Sequence, residues 1–216
     1  MGLAKWGAVL AFLLCATFWT PAAVQAAETD LKWLQSLADQ GDAEAWYRIG
    51  VIKEQGIGMQ ADALGAVRAF TKAAELGHAK AQFRLAQMLA AGYGGVLDKG
   101  GARHWYGEAA RQGIPEAAYN AGLFAETGVG GPEDMAEAEA FYKQAAAAGV
   151  GAAAERLGLL YLDGRLGGAP DPVTALAWLM KAAALGEEDS AALARDLAKQ
   201  MTSEQQAAAK ALAATL

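Results

Sequence analysis

AELGHAKAQFRLAQMLAAGYG (residues 74–94) and ARQGIPEAAYNAGLFAETGVG (residues 110–130) are two versions of one phrase, 36 residues apart. A self-similar period of that length is the signature of stacked supersecondary units, and it governs how the rest of the chain is read. Outward from this pair, glycines close the same phrase at Gly41, Gly77, Gly113, Gly149 and Gly186, spaced by 36, 36, 36 and 37 residues. Alanine stands four residues after each of the first four glycines, at Ala45, Ala81, Ala117 and Ala153. A small residue follows at Gly50, Ala86, Gly122 and Gly158. Glycine returns at Gly56, Gly92, Gly128 and Gly164, and aspartate at Asp62, Asp98, Asp134 and Asp171.

Each column has a physical reason. The first half of a unit, as in EAWYRIGVIKEQ, places apolar residues at helical spacing. The glycine that ends it suits a left-handed helix terminus. The aspartate then caps a second helix by accepting backbone N–H bonds. Pro172 directly after Asp171 occupies the first helical position, where its missing N–H costs nothing. Each unit is therefore a helix, a short glycine-bearing loop and a second helix. Small residues let the two helices cross closely. One pair cannot bury its own apolar face, so neighbours stack into a solenoid. The extra residue of the fourth unit falls in its loop, GRLGGAP, where an insertion is tolerated.

The expected organisation is an N-terminal capping helix at 27–40, repeats at 41–76, 77–112, 113–148 and 149–185, and C-terminal capping helices at 186–216. Ser203 with Gln206 gives a capping-box signal for the last helix, through about Ala214. Residues 1–26 read differently. Lys5, an apolar run from Gly7 to Trp19, Pro21, and small residues at Val24 and Ala26 give the layout of a cleaved secretory signal peptide. The apolar run is short for a membrane span, and an uncleaved N-terminal anchor is the alternative reading. Cys15, the single cysteine, lies inside this segment and follows Leu14, which does not fit a lipoprotein signal. Cleavage after Ala26 leaves no cysteine and no disulfide framework, although a periplasmic or secreted location would permit one.

The chain carries 24 acidic against 18 basic residues, a net charge of −6, and removing Lys5 makes it one unit more negative. Without a basic cluster it is a poor partner for nucleic acid or an anionic membrane surface. The sequence leaves the oligomeric state open.

These columns resemble the Sel-1-like repeat, a branch of the tetratricopeptide superfamily. The family phrase is present as AWYRIG with GIG and FTKAAELG, AQFRLA with GYGG and HWYGEAARQG, AAYNAG with GVGG and FYKQAAAAG, and AAERLG with WLMKAAALG. The resemblance covers about residues 30–200. It implies an all-α, right-handed solenoid of antiparallel helix pairs, with about four full repeats and terminal caps. It also implies an adaptor that binds a protein or peptide, for exported bacterial members often in envelope assembly or signalling. The tyrosine common near the end of the first helix is kept only at Tyr161, with Lys53, Leu89 and Ala125 in its place elsewhere.

Residues suited to catalysis are sparse. His78 and His104 are the only histidines, and with no cysteine partner they make no metal-ligand cluster. His78 reads as a solvated loop residue, and His104 as a surface or groove residue. Ser36, Ser190 and Ser203 lack a nucleophile-elbow setting. The glycine segments lack the lysine and hydroxyl of a phosphate loop. Glu126, Glu133 and Asp134, like Glu187, Glu188 and Asp189, lack calcium-loop spacing and read as solvated helix starts. No catalytic residue, metal or cofactor is expected. An exported enzyme or enzyme subunit acting on cell-wall or polysaccharide material is the alternative function, with no residues arguing for it.

By superfamily analogy, three first-helix columns line the concave groove. They are Tyr47, Phe83, Tyr119 and Glu155; Val51, Gln87, Leu123 and Leu159; and Glu54, Ala90, Glu126 and Leu162. Spacings of four and three hold them on one helical face. The aromatic column also fits plain packing. As a groove, an apolar stripe beside Glu54, Glu126 and Glu155 suits a peptide with apolar anchors and some basic residues.

Overall fold

The computed structural model describes residues 31–216. The signal-like segment 1–26 with Cys15, and residues 27–30 of the expected cap, lie outside them. Among the described residues every regular element is helical. A first helix, α1 (31–39), is followed by the pairs α2 (Ala43–Gln55) and α3 (Ala63–Glu75), α4 (Ala79–Ala91) and α5 (Lys99–Arg111), α6 (Pro115–Thr127) and α7 (Met135–Ala147), and α8 (Gly151–Leu162) and α9 (Pro172–Ala184). Then come α10 (Glu188–Lys199) and α11 (Ser203–Ala213), and a short 3-10 turn, Tyr93–Gly95, interrupts the second unit's loop. Each first helix packs most extensively on the second helix of its own unit. Each second helix packs next on the first helix that follows, so the fold is an α-solenoid. Both α10 and α11 rest on α9 and close the stack.

The core is largely alanine. One continuous buried cluster runs from Ala66 to Ala182, with smaller clusters at the two ends. Alanine loses no side-chain entropy in a helix and lets backbones approach, so it builds dense contact where few large side chains are available. The large buried residues lie where pairs cross. Phe70, Tyr106, Tyr142 and Leu179 are buried equivalents on successive second helices. At equivalent positions on the first helices are Gly50, Ala86, Gly122 and Gly158. A Cβ on Gly50 would sit 2.5 Å from the Phe70 ring, on Gly122 2.7 Å from the Tyr142 ring, and on Gly158 2.8 Å from Leu179. These are contacts that a side chain cannot make without moving its neighbour.

The loops close by one recurring scheme. Asp62, Asp98, Asp134 and Asp171 cap α3, α5, α7 and α9, each accepting from an N–H in the first turn. The same aspartates donate their own N–H back to the carbonyls of Lys53, Leu89, Ala125 and Tyr161 near the ends of the first helices. One residue thus satisfies an orphan donor of one helix and an orphan acceptor of the other. Gly56 and Gly128 turn the chain between them at φ of 69° and 68°, a left-handed conformation that glycine enters without steric cost.

The last helix corrects the expected cap by one residue. Thr202, not Ser203, is the N-cap of α11, and its capping box closes with Gln205, not Gln206. Gln206 instead donates to the carbonyls of Ala198 and Met201, tying α11 to the end of α10.

Gly50→Ala is expected to destabilise the protein by about 1–3 kcal/mol through overpacking against Phe70. Ala86→Gly, which overpacks nothing but removes a fully buried methyl group from a helix interior, is expected to cost about 1–2 kcal/mol through lost burial and backbone entropy. Urea denaturation of the two variants beside the wild type measures both.

Candidate functional site

The first-helix columns expected to form a groove divide into three kinds of residue. The aromatic column is part of the core. Tyr47, Phe83 and Tyr119 are half-buried, and each ring packs on the second-helix ring of its own unit. The centroid distances are 5.8 Å to Phe70, 6.0 Å to Tyr106 and 5.9 Å to Tyr142. Tyr47 is also stacked by the His78 ring at 4.6 Å and 17°. The fourth unit has Leu179 where the others have a ring. Its column residue, half-buried Glu155, accepts a hydrogen bond from Ser190 of α10 at 2.7 Å.

The acidic residues tie units together. Glu54 accepts from Arg84 of the next unit at 3.0 Å. Glu126, expected both to line the groove and to sit in a solvated acidic cluster, is only 1% exposed. Its carboxylate accepts from Tyr142 Oη at 2.8 Å, from Arg156 Nε at 2.7 Å and through a second Arg156 nitrogen, and from Arg165 Nη1 at 2.9 Å. Arg165 also reaches Glu133 at 2.8 Å, which draws the fourth loop over the third. The glutamates therefore have arginine and hydroxyl partners of the protein itself, and Glu126 has no surface to offer a basic peptide. Burial alone would push the Glu126 carboxyl up. The Arg156 and Tyr142 hydrogen bonds and the two guanidinium charges outweigh it and hold the group below the usual carboxylate range. Burial, reinforced by Glu126, pushes the Tyr142 hydroxyl well above its ordinary value, so it stays a donor.

The third kind is the column Val51, Gln87, Leu123 and Leu159, one residue per unit on α2, α4, α6 and α8, all half-buried. Gln87 makes no side-chain hydrogen bond among the described residues. Of the remaining column members, Ala90 and Leu162 are half-buried.

His78 is not the solvated loop residue expected. Its side chain is 16% exposed, it caps α4 by accepting from Ala81 N–H through Nδ1 at 3.1 Å, and its Nε2 lies 2.9 Å from Glu44. His104 is exposed, edge-on to Trp105. Among the described residues, no group of three or more histidine, cysteine or carboxylate side chains is placed to hold a metal ion. No helix of the described residues is long and apolar enough to cross a membrane.

The residues that complete the Glu126 cluster were not singled out from sequence. A signal for one of them exists, since arginine stands seven residues after the closing glycine at Arg48, Arg84 and Arg156, with Asn120 between. Removing one partner of a fully buried ion pair costs ~3–5 kcal/mol. Arg156 and Arg165 remain 37% and 39% exposed, so Glu126→Gln is expected to cost about 2–3 kcal/mol at pH 7. A carboxyl depressed in the folded state stabilises above its unfolded pKa, and that contribution is lost as pH falls through the folded value. The gap in stability between wild type and Glu126→Gln is therefore expected to shrink below the ordinary carboxylate range, measured by urea denaturation at stepped pH.

Comparison with known proteins places this arrangement. The Sel1 repeat model matches residues 31–42, 43–78, 79–114, 115–150 and 151–187. A Sel1 repeat protein from Oxalobacter formigenes is 28% identical, with a TM-score of 0.68, over 82% of this chain and 75% of that one. A protective antigen of uropathogenic Escherichia coli displaying an SLR fold is 26% identical, with a TM-score of 0.51, over 85% of this chain. The match spans 47% of that antigen's length. No curated protein matches. The repeat period, the helix pairs and these likenesses agree, and the chain belongs to the Sel1 repeat family.

Proposed function

We propose that this chain is an exported, non-catalytic adaptor that holds a protein or peptide partner against the first-helix face of its array, in envelope assembly or signalling. The observation that carries this reading is the column Val51, Gln87, Leu123 and Leu159. It recurs once per unit, is half-buried throughout, and offers two leucine anchors and one amide, with Val51 also packed on the core. Leu123 and Leu159 lie outside the buried core clusters. Residues of that kind, repeated along a rigid array, suit a partner that inserts apolar side chains in sequence. The acidic residues do not define the partner's charge, because Glu54 and Glu126 are spent on Arg84, Arg156 and Arg165. The partner's recognition is therefore apolar and amide-based on this face, with no demand for lysine or arginine. The leader-like residues 1–26 support export.

The test uses Leu123→Ser with Leu159→Ser. Replacing Tyr47, Phe83 and Tyr119 would remove core rings and confuse binding with stability. Wild type and the double variant are used to capture proteins from the cell envelope, with circular dichroism confirming equal helicity. Each lost anchor is worth about 1–2 kcal/mol, so a specific partner is expected to be retained by wild type and weakened roughly tenfold or more in the variant. Equal capture by both overturns the groove, and no specific capture by wild type overturns the adaptor.

A further inference from the structure

We propose a second site, independent of the groove, that binds a small carboxylate with an apolar body in the cavity between α1, α2 and α3. The cavity is about 440 Å3, within the ~300–1,000 Å3 range of small-molecule pockets. Trp46, Ile49 and Ala69 supply its apolar walls, and Lys53, Arg68 and Lys72 bring positive charge to it. None of its lining residues belongs to the three groove columns.

Two observations argue for a ligand here. The first is charge. In a chain of net charge −6, three cations converge on one apolar cavity. Lys53 is held by Asp62 at 3.0 Å, and Lys72 meets Glu75 at 3.2 Å in an exposed pair that is easily given up. The Arg68 guanidinium makes no ion pair among the described residues. The other polar groups are already committed: Gln35 donates to Asp39 at 2.8 Å and Thr71 to the Val67 carbonyl at 2.8 Å. Arg68 and Lys72 are thus the groups left to meet an anion, and a guanidinium presents the forked donors that a carboxylate fits.

The second observation is the repeat itself. Four units solve nearly the same packing problem, and since Trp46 packs against two core clusters, the first unit's cations are the departures that packing does not require. The equivalents of Trp46 are Gln82, Ala118 and Ala154, those of Arg68 are His104, Ala140 and Ala177, and those of Lys72 are Glu108, Gln144 and Lys181. Tryptophan, arginine and lysine coincide only in the first unit, around this cavity. At the corresponding place in the second unit, Gln82 bonds to the Ala74 carbonyl at 3.2 Å and to Gln112 at 2.7 Å, tying the helices together. A packing cap for the end of the array would call for the apolar wall alone. The added cations give the wall a charged mouth.

The probes are 4-phenylbutyrate and its uncharged counterpart 4-phenylbutanol, titrated calorimetrically into the full chain at low salt. The Trp46 indole N–H resonance reports the location. The expected result is binding of the acid about tenfold tighter than the alcohol, the scale of one charge-assisted hydrogen bond, with the Trp46 resonance moving. In the double variant Arg68→Gln with Lys72→Gln, both at exposed positions, the two probes are expected to bind alike. Binding of neither probe, equal binding of both by wild type, an unmoved Trp46 resonance, or an acid preference that survives in the double variant overturns the proposal.

Discussion

Everything in this array depends on how closely the two helices of a unit can cross, and in three of the four units that is set by a side chain lying on a glycine. Phe70 over Gly50, Tyr142 over Gly122 and Leu179 over Gly158 leave no room for a β-carbon. With so few large residues in the core, this approach is what allows rows of alanine to touch and exclude water. The aspartate that caps each second helix while donating to the first then fixes the loop at the only separation the crossing allows. Stacking follows, because a pair locked in this way still presents an apolar flank that only another pair can cover.

The second unit shows how much of that constraint is steric and how much is pinned. Ala86 stands where the others have glycine, and it and Tyr106, at the position equivalent to Phe70 and Tyr142, are both buried. No hydrogen bond of the Tyr106 hydroxyl holds that ring among the described residues. Tyr142 is different, since its hydroxyl is fixed on Glu126, and Glu126 in turn holds Arg156 and Arg165 of the following unit. The crossing within the third unit is therefore linked to the junction with the fourth. The same network removes Glu126 from the groove. A residue that looked like recognition chemistry is instead a strut.

The period, the helix pairs, the second-helix caps and the solenoid were legible in the sequence, because each is written into residues close along the chain or repeated at one interval. What the sequence hid lies across units. Glu126 meets Arg156 thirty residues on, and His78 meets Glu44 thirty-four residues back. No local pattern states that such groups will touch, so one glutamate read as solvated and one histidine as a loop residue. The slip from Thr202 to Ser203 has another cause. Adjacent hydroxyl residues are followed by adjacent glutamines, so two capping boxes fit the sequence and backbone geometry selects one. The aromatic column fits either reading from sequence, and each of its three rings packs at a tilt on a second-helix ring. The cavity beside Trp46 needed both the fold and the comparison between units before its cations could be seen to converge.

The measurement that tests the crossing constraint most directly is a double-mutant cycle between Gly122→Ala and Tyr142→Ala, read by urea denaturation. A β-carbon at position 122 is costly because it meets the Tyr142 ring at 2.7 Å. Gly122→Ala is predicted to cost distinctly less in the Tyr142→Ala background, where the ring is gone, a coupling of about 0.5–3 kcal/mol between touching residues. Strict additivity would contradict this, showing that the crossing is set elsewhere than where this ring lies on this glycine.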